Sequence, residues 1–288
     1  IDDRDSLEET QYRRPSTFIK KPEPTSNRFG ANIFSMMQSS LMPLNEPNFD
    51  SSYILDFGDT LELQLVGQKS STTKLLVKRD GSINIEDIGK LNIAGLSLDK
   101  VVELIKNKIN LAFIGVEAYV TLAKVRDVQI IMSGNVYNPG SYTLNGNSNI
   151  FHALSVSGGP SESGSFRSID LIRNNKKIES IDLYETFIFG RSSFNTRLRS
   201  GDLIFVNPVG NVVSIVGAVK RPGSYEIKKD GTLSSLIKFS NGLTAFADIN
   251  NIKLERILDG KIQALPIVNI SQFDNIKAND LDTIYIRV

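Results

Sequence analysis

Apolar and polar positions fall into ordered stretches from Tyr53 onward and not before it. Leu61, Leu63 and Leu65 alternate with Glu62 and Gln64, the period of a strand with one buried face. Lys74 to Arg79 and Ile83 to Ile85 flank Asp80-Gly81, a dipeptide suited to a tight hairpin because both of its residues tolerate positive φ. Val101, Ile105 and Ile109 recur every fourth position, which puts them on one helical face, and Ser97 stands where the N-cap belongs. Val116 to Lys124 reads as a closing strand. This first unit is therefore expected to run strand, strand, helix, strand.

The remainder is one plan written twice. Gly134-Asn135-Val136-Tyr137-Asn138-Pro139-Gly140-Ser141-Tyr142 returns as Gly217-Ala218-Val219-Lys220-Arg221-Pro222-Gly223-Ser224-Tyr225, with six of nine positions identical and an offset, from Gly134 to Gly217, of 83 residues. Leu154 falls on Ile237, Gly159 on Gly242, Leu171 on Leu254 and Arg173 on Arg256 at the same offset. Self-similarity at a fixed spacing indicates a duplicated supersecondary unit. Each copy opens with a β-branched strand (Val128 to Met132; Val212 to Val216) that runs into Pro-Gly. Proline presets φ and glycine supplies the positive φ of a type II turn, so Pro139-Gly140 and Pro222-Gly223 are assigned to such turns. A short strand begins at Tyr142 and Tyr225. Asn149 or Ser148 then caps a helix over Ile150 to Ser157, and Thr232 caps its counterpart over Leu233 to Ser240. Gly158-Gly159 and Asn241-Gly242 stop these helices. Hairpins turn at Asn174-Asn175 and Asp259-Gly260, and Gly201-Asp202 and Asn279-Asp280 announce the last strands. A helix across a small mixed sheet with flanking hairpins is a β-grasp-like α+β unit.

Residues 1–52 carry mixed charges, no periodicity and the prolines Pro15, Pro22, Pro24, Pro43 and Pro47, and read as an extended arm or linker. Its apolar patch, Phe29 to Met37, is suited to docking on the body as one or two helical turns. The fold class is multi-domain α+β: the arm, a first domain at 53–125, and β-grasp repeats at 126–208 and 209–288.

Composition removes several functions. Lys+Arg 33 against Asp+Glu 32 leaves no basic excess for nucleic acid. Cysteine is absent, which removes disulfides, thiolate metal sites and cysteine nucleophiles. No run of about 18 apolar residues is present to span a bilayer as a simple helix. A chain starting at Ile1, without an initiating Met or a signal peptide, reads as a mature or trimmed product.

Catalytic chemistry finds little footing. His152 is the single histidine, between Phe151 and Ala153 on a helix, where a surface or packed role outweighs a triad role. The carboxylates form no evident acid/base pair, and Asp2, Asp3 and Asp5 lack calcium-loop spacing, so no catalytic residue, metal or cofactor is assigned. Ser157-Gly158-Gly159-Pro160 follows a helix rather than preceding one, which suits a helix stop and not a phosphate cradle. Arg191, Arg197 and Arg199 form a basic patch. A solvated loop is its default reading, and a docking point for an acidic sugar or a neighbouring subunit is the sharper one. Tyr142 and Tyr225 suit both sugar stacking and packing, and packing is preferred.

These motifs carry a resemblance. Tyr53-Ile54-Leu55-Asp56-Phe57-Gly58-Asp59, Arg79-Asp80-Gly81-Ser82-Ile83, Ile88-Gly89 and Ala94-Gly95-Leu96 resemble the polysaccharide biosynthesis/export domain of outer-membrane exporters of the Wza type. The Gly-x-Val-x-x-Pro-Gly-x-Tyr phrases, Ser157-Gly158-Gly159 and Gly201-Asp202 resemble the soluble-ligand-binding β-grasp (SLBB) modules that follow it in that family. The resemblance spans roughly residues 53 to 288. Phe57-Gly58-Asp59 replaces a frequent Pro-Gly-Asp, Ser240-Asn241-Gly242 and Asn279-Asp280 depart in the second repeat, and the amphipathic pore helix of smaller members is not among these residues. Arg28-Phe29-Gly30 to Phe34 is similar to the lead-in of longer members. The resemblance implies a non-enzymatic part of a capsule or exopolysaccharide export channel in the periplasm and at the outer membrane. It further implies a homo-oligomeric ring, a polysaccharide chain as cargo, and an inner-membrane chain-length-control and polymerisation complex as partner. A stand-alone β-grasp module that binds a glycan or small ligand is the alternative.

Overall fold

Two separate hydrophobic cores organise the chain. The structure, a computed structural model, describes residues 28–34, 51–191, 194–265 and 269–288. In the first core Leu61, Leu63 and Leu65 of β1 (Thr60–Gly67) meet Val101, Ile105 and Ile109 of helix α1 (Leu98–Ala112). β1 is the centre of an antiparallel sheet, between β2 (Ser71–Leu76) and β5 (Val116–Lys124).

The hairpin expected at Asp80-Gly81 takes another form. β2 pairs with β1, whereas β3 (Ser82–Ile85) pairs with β4 (Gly89–Asn92), so the order is four strands, helix, strand. Only Gly81 has positive φ (79°). The Asp80 carboxylate accepts from the Ser82 N–H (3.1 Å) and hydroxyl (2.6 Å), which closes a local turn without a ladder beyond it. Buried Leu75 places β2 against β1, where the alternating leucines give it a core to join. Ser97 occupies the N-cap but makes no side-chain cap bond; its hydroxyl is engaged with Asp99.

The two repeats share one topology. β6 (Asp127–Gly134), β7 (Gly140–Asn145), β8 (Gly164–Arg173), β9 (Lys176–Ile181) and β10 (Leu203–Pro208) lie in the order β7-β6-β10-β8-β9. β11 (Asn211–Gly217), β12 (Gly223–Ile227), β13 (Ile252–Leu258), β14 (Lys261–Leu265) and β15 (Thr283–Ile286) lie in the order β12-β11-β15-β13-β14. In both, the last strand runs parallel to the first and all other pairs are antiparallel. Asn174-Asn175 (φ 51° and 57°) and Asp259-Gly260 (φ 50° and 73°) turn the hairpins with left-handed central residues, as their composition predicts.

The helices follow their caps. Asn149 begins α2 (Ile150–Ser157) through a capping box: its carboxamide oxygen accepts from the His152 N–H, and His152 Nδ1 accepts from the Asn149 N–H. The lone histidine is thus a local structural residue. Gly158, at φ 85°, ends the helix. In the second repeat α4 (Ser234–Phe239) is shorter than expected, with Leu233 rather than Thr232 at the N-cap. Thr232 is held in a bridge to Lys277, so the helix starts after it. A further short helix, α3 (Leu183–Phe187), follows β9, and a 3-10 turn (Ile270–Asn275) follows β14.

The Pro-Gly phrases do not form type II turns. Gly140 and Gly223 open β7 and β12 at φ 156° and 159°, nearly extended. The chain instead crosses from β6 to β7 on a loop hung from the end of α2: the Tyr137 N–H donates to Gly159 O (3.1 Å) and the Asn138 N–H to Ser157 O (3.1 Å). Lys220 to Gly242 (3.0 Å) and Arg221 to Ser240 (2.9 Å) repeat this in the second copy. These bonds, and the Tyr142 and Tyr225 hydroxyls donating to Asn138 O and Arg221 O (2.7 Å each), replace the turn bond.

Candidate functional site: the seam between the repeats

The second core runs without interruption through both repeats, from Val128 to Ile286. At their seam β12 buries Tyr225, Glu226 and Ile227 in succession, so the strand is covered on both faces. Glu226 is 3% exposed and fully engaged. Its carboxylate accepts from the Ser165 hydroxyl (2.6 Å), the Phe166 N–H (2.8 Å) and the Gly210 N–H (3.0 Å). Its own N–H donates to the Tyr184 hydroxyl oxygen (2.9 Å). Burial, above all, pushes the Tyr184 phenol well above its ordinary range. Arg167 bonds Asp182 (2.9 Å) and lies over the Tyr184 and Phe239 rings, so one cation holds side chains of both repeats.

The described part of the arm, Arg28–Phe34, docks on this seam. Arg28 bridges to Ser224 in parallel fashion, and the Phe29 N–H donates to Ser224 O (2.8 Å). Phe29 stacks on Tyr225 (centroids 5.7 Å, planes 22° apart) and meets Tyr184 edge-on at 5.3 Å. Phe34, fully buried, reaches Phe151 and Phe166 of the first repeat. Gly159 leaves room for it, since a Cβ there would strike the Phe34 ring. The second glycine of Ser157-Gly158-Gly159 therefore seats the arm as well as following a helix. Of the patch Phe29 to Met37, residues 35–37 lie outside the described residues.

Between arm and second repeat lies a cleft of about 500 Å³, lined among others by Arg28, Phe29, Phe187, Arg221, Pro222, Gly223 and Tyr225. The sequence-assigned residues divide accordingly. Pro222, Gly223 and Tyr225 line the cleft, while Pro139, Gly140 and Tyr142 occupy the equivalent loop of the first repeat. Tyr225 is 1% exposed, which is the packing role. The arginine patch is divided among local partners: Arg191 pairs with Glu185 (2.9 Å) and Arg197 donates to Asn147 O. The Arg199 N–H is taken by Asp202 (2.8 Å).

One device recurs in all three units and escaped sequence reading in part. Asp59, Asp202 and Asp282 each close a four-residue turn, with the N–H of the residue three positions earlier donating to the carboxylate (2.9, 2.8 and 2.9 Å). Each is fully buried and pairs with an arginine: Arg126 (2.7 Å), Arg173 (2.7 Å) and Arg256 (2.7 Å). The bond to the carboxylate holds Arg173 and Arg256 above their ordinary range. The counterpart of Gly201-Asp202 is thus Leu281-Asp282, not Asn279-Asp280. Leu281 takes φ 63° where Gly201 takes 89° and Gly58 takes 94°. A three-residue shortening of the second copy, which moves the offset from 83 to 80 (202 to 282), and the loss of glycine hid the match.

The fold defines a tandem β-grasp protein: one α+β unit followed by a fused pair of five-stranded modules. Residues 47–123 match the family described as polysaccharide biosynthesis/export protein, and residues 129–182 and 212–265 each match the SLBB domain. The chain carries a polysaccharide biosynthesis/export domain followed by two SLBB domains. It is similar to two Escherichia coli proteins named polysialic acid transport protein KpsD. One is 25% identical over 229 residues, 77% of this chain and 40% of that protein; the other is 27% identical over 221 residues, 74% and 39%. The chain thus spans about 40% of the length of these relatives. Among the described residues no helix is long and apolar enough to cross a membrane, which leaves membrane strands undecided.

Proposed function

We propose that this chain is part of a ring-forming conduit, in the periplasm and at the outer membrane, through which a capsule-type or exopolysaccharide chain leaves the cell, and that it acts without catalysis. The fused seam carries the reading. Glu226, Phe29 and Phe34 tie the repeats into one block of fixed angle. A closed ring requires just this, since head-to-tail copies close only if each holds a constant rotation. The activity named for the KpsD relatives supports a polysaccharide cargo, and an acidic one. Engagement of His152 in a capping box supports a non-catalytic role. The partners in this reading are further copies of the chain and an inner-membrane chain-length-control and polymerisation complex.

Deletion of the full-length gene tests it. Polymer retained inside the cell, restored to the surface by the intact gene, is the expected result, together with a ladder of oligomers after cross-linking in cells. Wild-type surface polymer in the deletion strain would reject the conduit. The cleft at the seam favours the second reading, a stand-alone glycan-binding module, which predicts glycan binding by the purified chain and unaffected export.

A further inference from the structure

Arginines held at the edges of these cores are matched by carboxylates: Arg126 by Asp59, Arg167 by Asp182, Arg173 by Asp202 and Arg256 by Asp282. Arg28 departs from this rule. It is more deeply buried, at 7% exposure, yet among the described residues no carboxylate lies within ion-pair distance. One Nη donates to Ser161 O (3.0 Å) and its Nε has no partner. Arg221, on the other side of the same cleft, repeats the arrangement: an Nη donates to Phe239 O (3.0 Å), the Nε has no partner, and no described carboxylate pairs with it. The two guanidiniums rest on rings, Arg28 over Phe166 at 4.7 Å and Arg221 over Phe29 at 4.8 Å. Glu226 and Glu162 are the acids that act on Arg28, but the Glu226 carboxylate is already committed to Ser165, Phe166 and Gly210. Burial lowers the Arg28 pKa, the direction of a cation short of counter-charge. Buried charges are ordinarily paired, and the buried, unmatched Arg28 with the half-buried Arg221 across the same cleft calls for an anion.

We infer that this cleft is a binding subsite for the carboxylated sugar units of an acidic polysaccharide, with Arg28 and Arg221 receiving the carboxylate and Phe187 facing the sugar ring. The choice of a saccharide rests on the export reading; the choice of an anion rests on the arginines alone. The volume, about 500 Å³, suits a few sugar units. Guanidinium forks match a planar carboxylate, and aromatic faces pack on the apolar side of a pyranose.

Titration of the whole 288-residue chain with a sialic acid trimer, maltotriose and inorganic phosphate tests the assignment. The acidic trimer is expected to bind and to shift amide resonances at Arg221 and at Gly223 to Tyr225, with maltotriose and phosphate weaker. R221Q should weaken the trimer about tenfold or more, the loss of a charge-assisted hydrogen bond, and R221K should recover part of it. R28Q should act in the same direction. Thermal unfolding of the unliganded variants separates a folding defect from a binding one, and R221K serves if R28Q does not fold. Equal affinity for trimer and maltotriose, or unchanged affinity in R221Q, overturns the subsite and leaves the conduit standing. Phosphate binding as tightly as the trimer overturns the saccharide assignment. The conduit itself falls only with normal surface polymer in the deletion strain.

Discussion

The glycine that matters most in the repeated phrase is the first. Gly134 and Gly217 lie at φ 77° and 94°, and a Cβ on either would strike a backbone carbonyl, Val206 O or Ile286 O, of the parallel strand beside it. A Cβ on Gly140 meets nothing within 4 Å. Gly134→Ala and Gly217→Ala should therefore each cost about 2–4 kcal/mol, and Gly140→Ala, which strains the backbone at φ 156° but meets no clash, should cost less than either. Urea denaturation that ranks Gly140→Ala with or above the other two would return the constraint to the Pro-Gly pair. Leu281 offers the converse test. It is exposed, left-handed and without a stabilising side-chain hydrogen bond of the kind asparagine or aspartate makes. Leu281→Gly should raise the unfolding free energy by up to about 1 kcal/mol; a lower midpoint would mean that leucine packing outweighs the relieved strain.

Among the elements, those defined by short-range pattern were legible and those defined by partners were not. The buried stripe Val101, Ile105, Ile109 and the left-handed hairpin turns depend on neighbours in sequence, so their residues announce them. The pairing of β2 with β1 depends on which distant strand offers a core, and Asp80-Gly81 does not encode that choice. Glu226 was invisible for a related reason. At the repeat offset it falls on Thr143, so nothing in the duplication marks it, and its role exists only where one repeat meets the other. Removing it by Glu226→Ala leaves the Phe166 and Gly210 N–H groups and the Ser165 hydroxyl without their acceptor. The expected cost is about 2–4 kcal/mol, with Thr143→Ala within about 1 kcal/mol as the matched control. Amide exchange at Phe166 and Gly210 should accelerate selectively; unchanged protection there would remove Glu226 from the joint.

At the scale of the molecule, order in sequence and order in thermodynamics part company. The arm precedes the export domain, yet Phe29 and Phe34 belong to the core of the repeats, while Ile105 belongs to the separate core of the export domain. The two cores meet through a narrow link in which Arg126 donates to Asp59 and to the Tyr53 hydroxyl, and its carbonyl accepts from the Gly146 N–H (2.8 Å). A few polar bonds couple cooperative units less tightly than a shared core does. Calorimetry should accordingly resolve two transitions. Ile105→Ala, which empties a fully buried site in α1, should lower the export-domain transition by the equivalent of about 2–5 kcal/mol and leave the repeat transition in place. Phe34→Ala should do the reverse, by about 3–5 kcal/mol, although residue 34 lies nearer in sequence to the domain it leaves untouched. If both substitutions shift both transitions equally, the cores are one cooperative unit, and the arm is not a strap on the repeats alone.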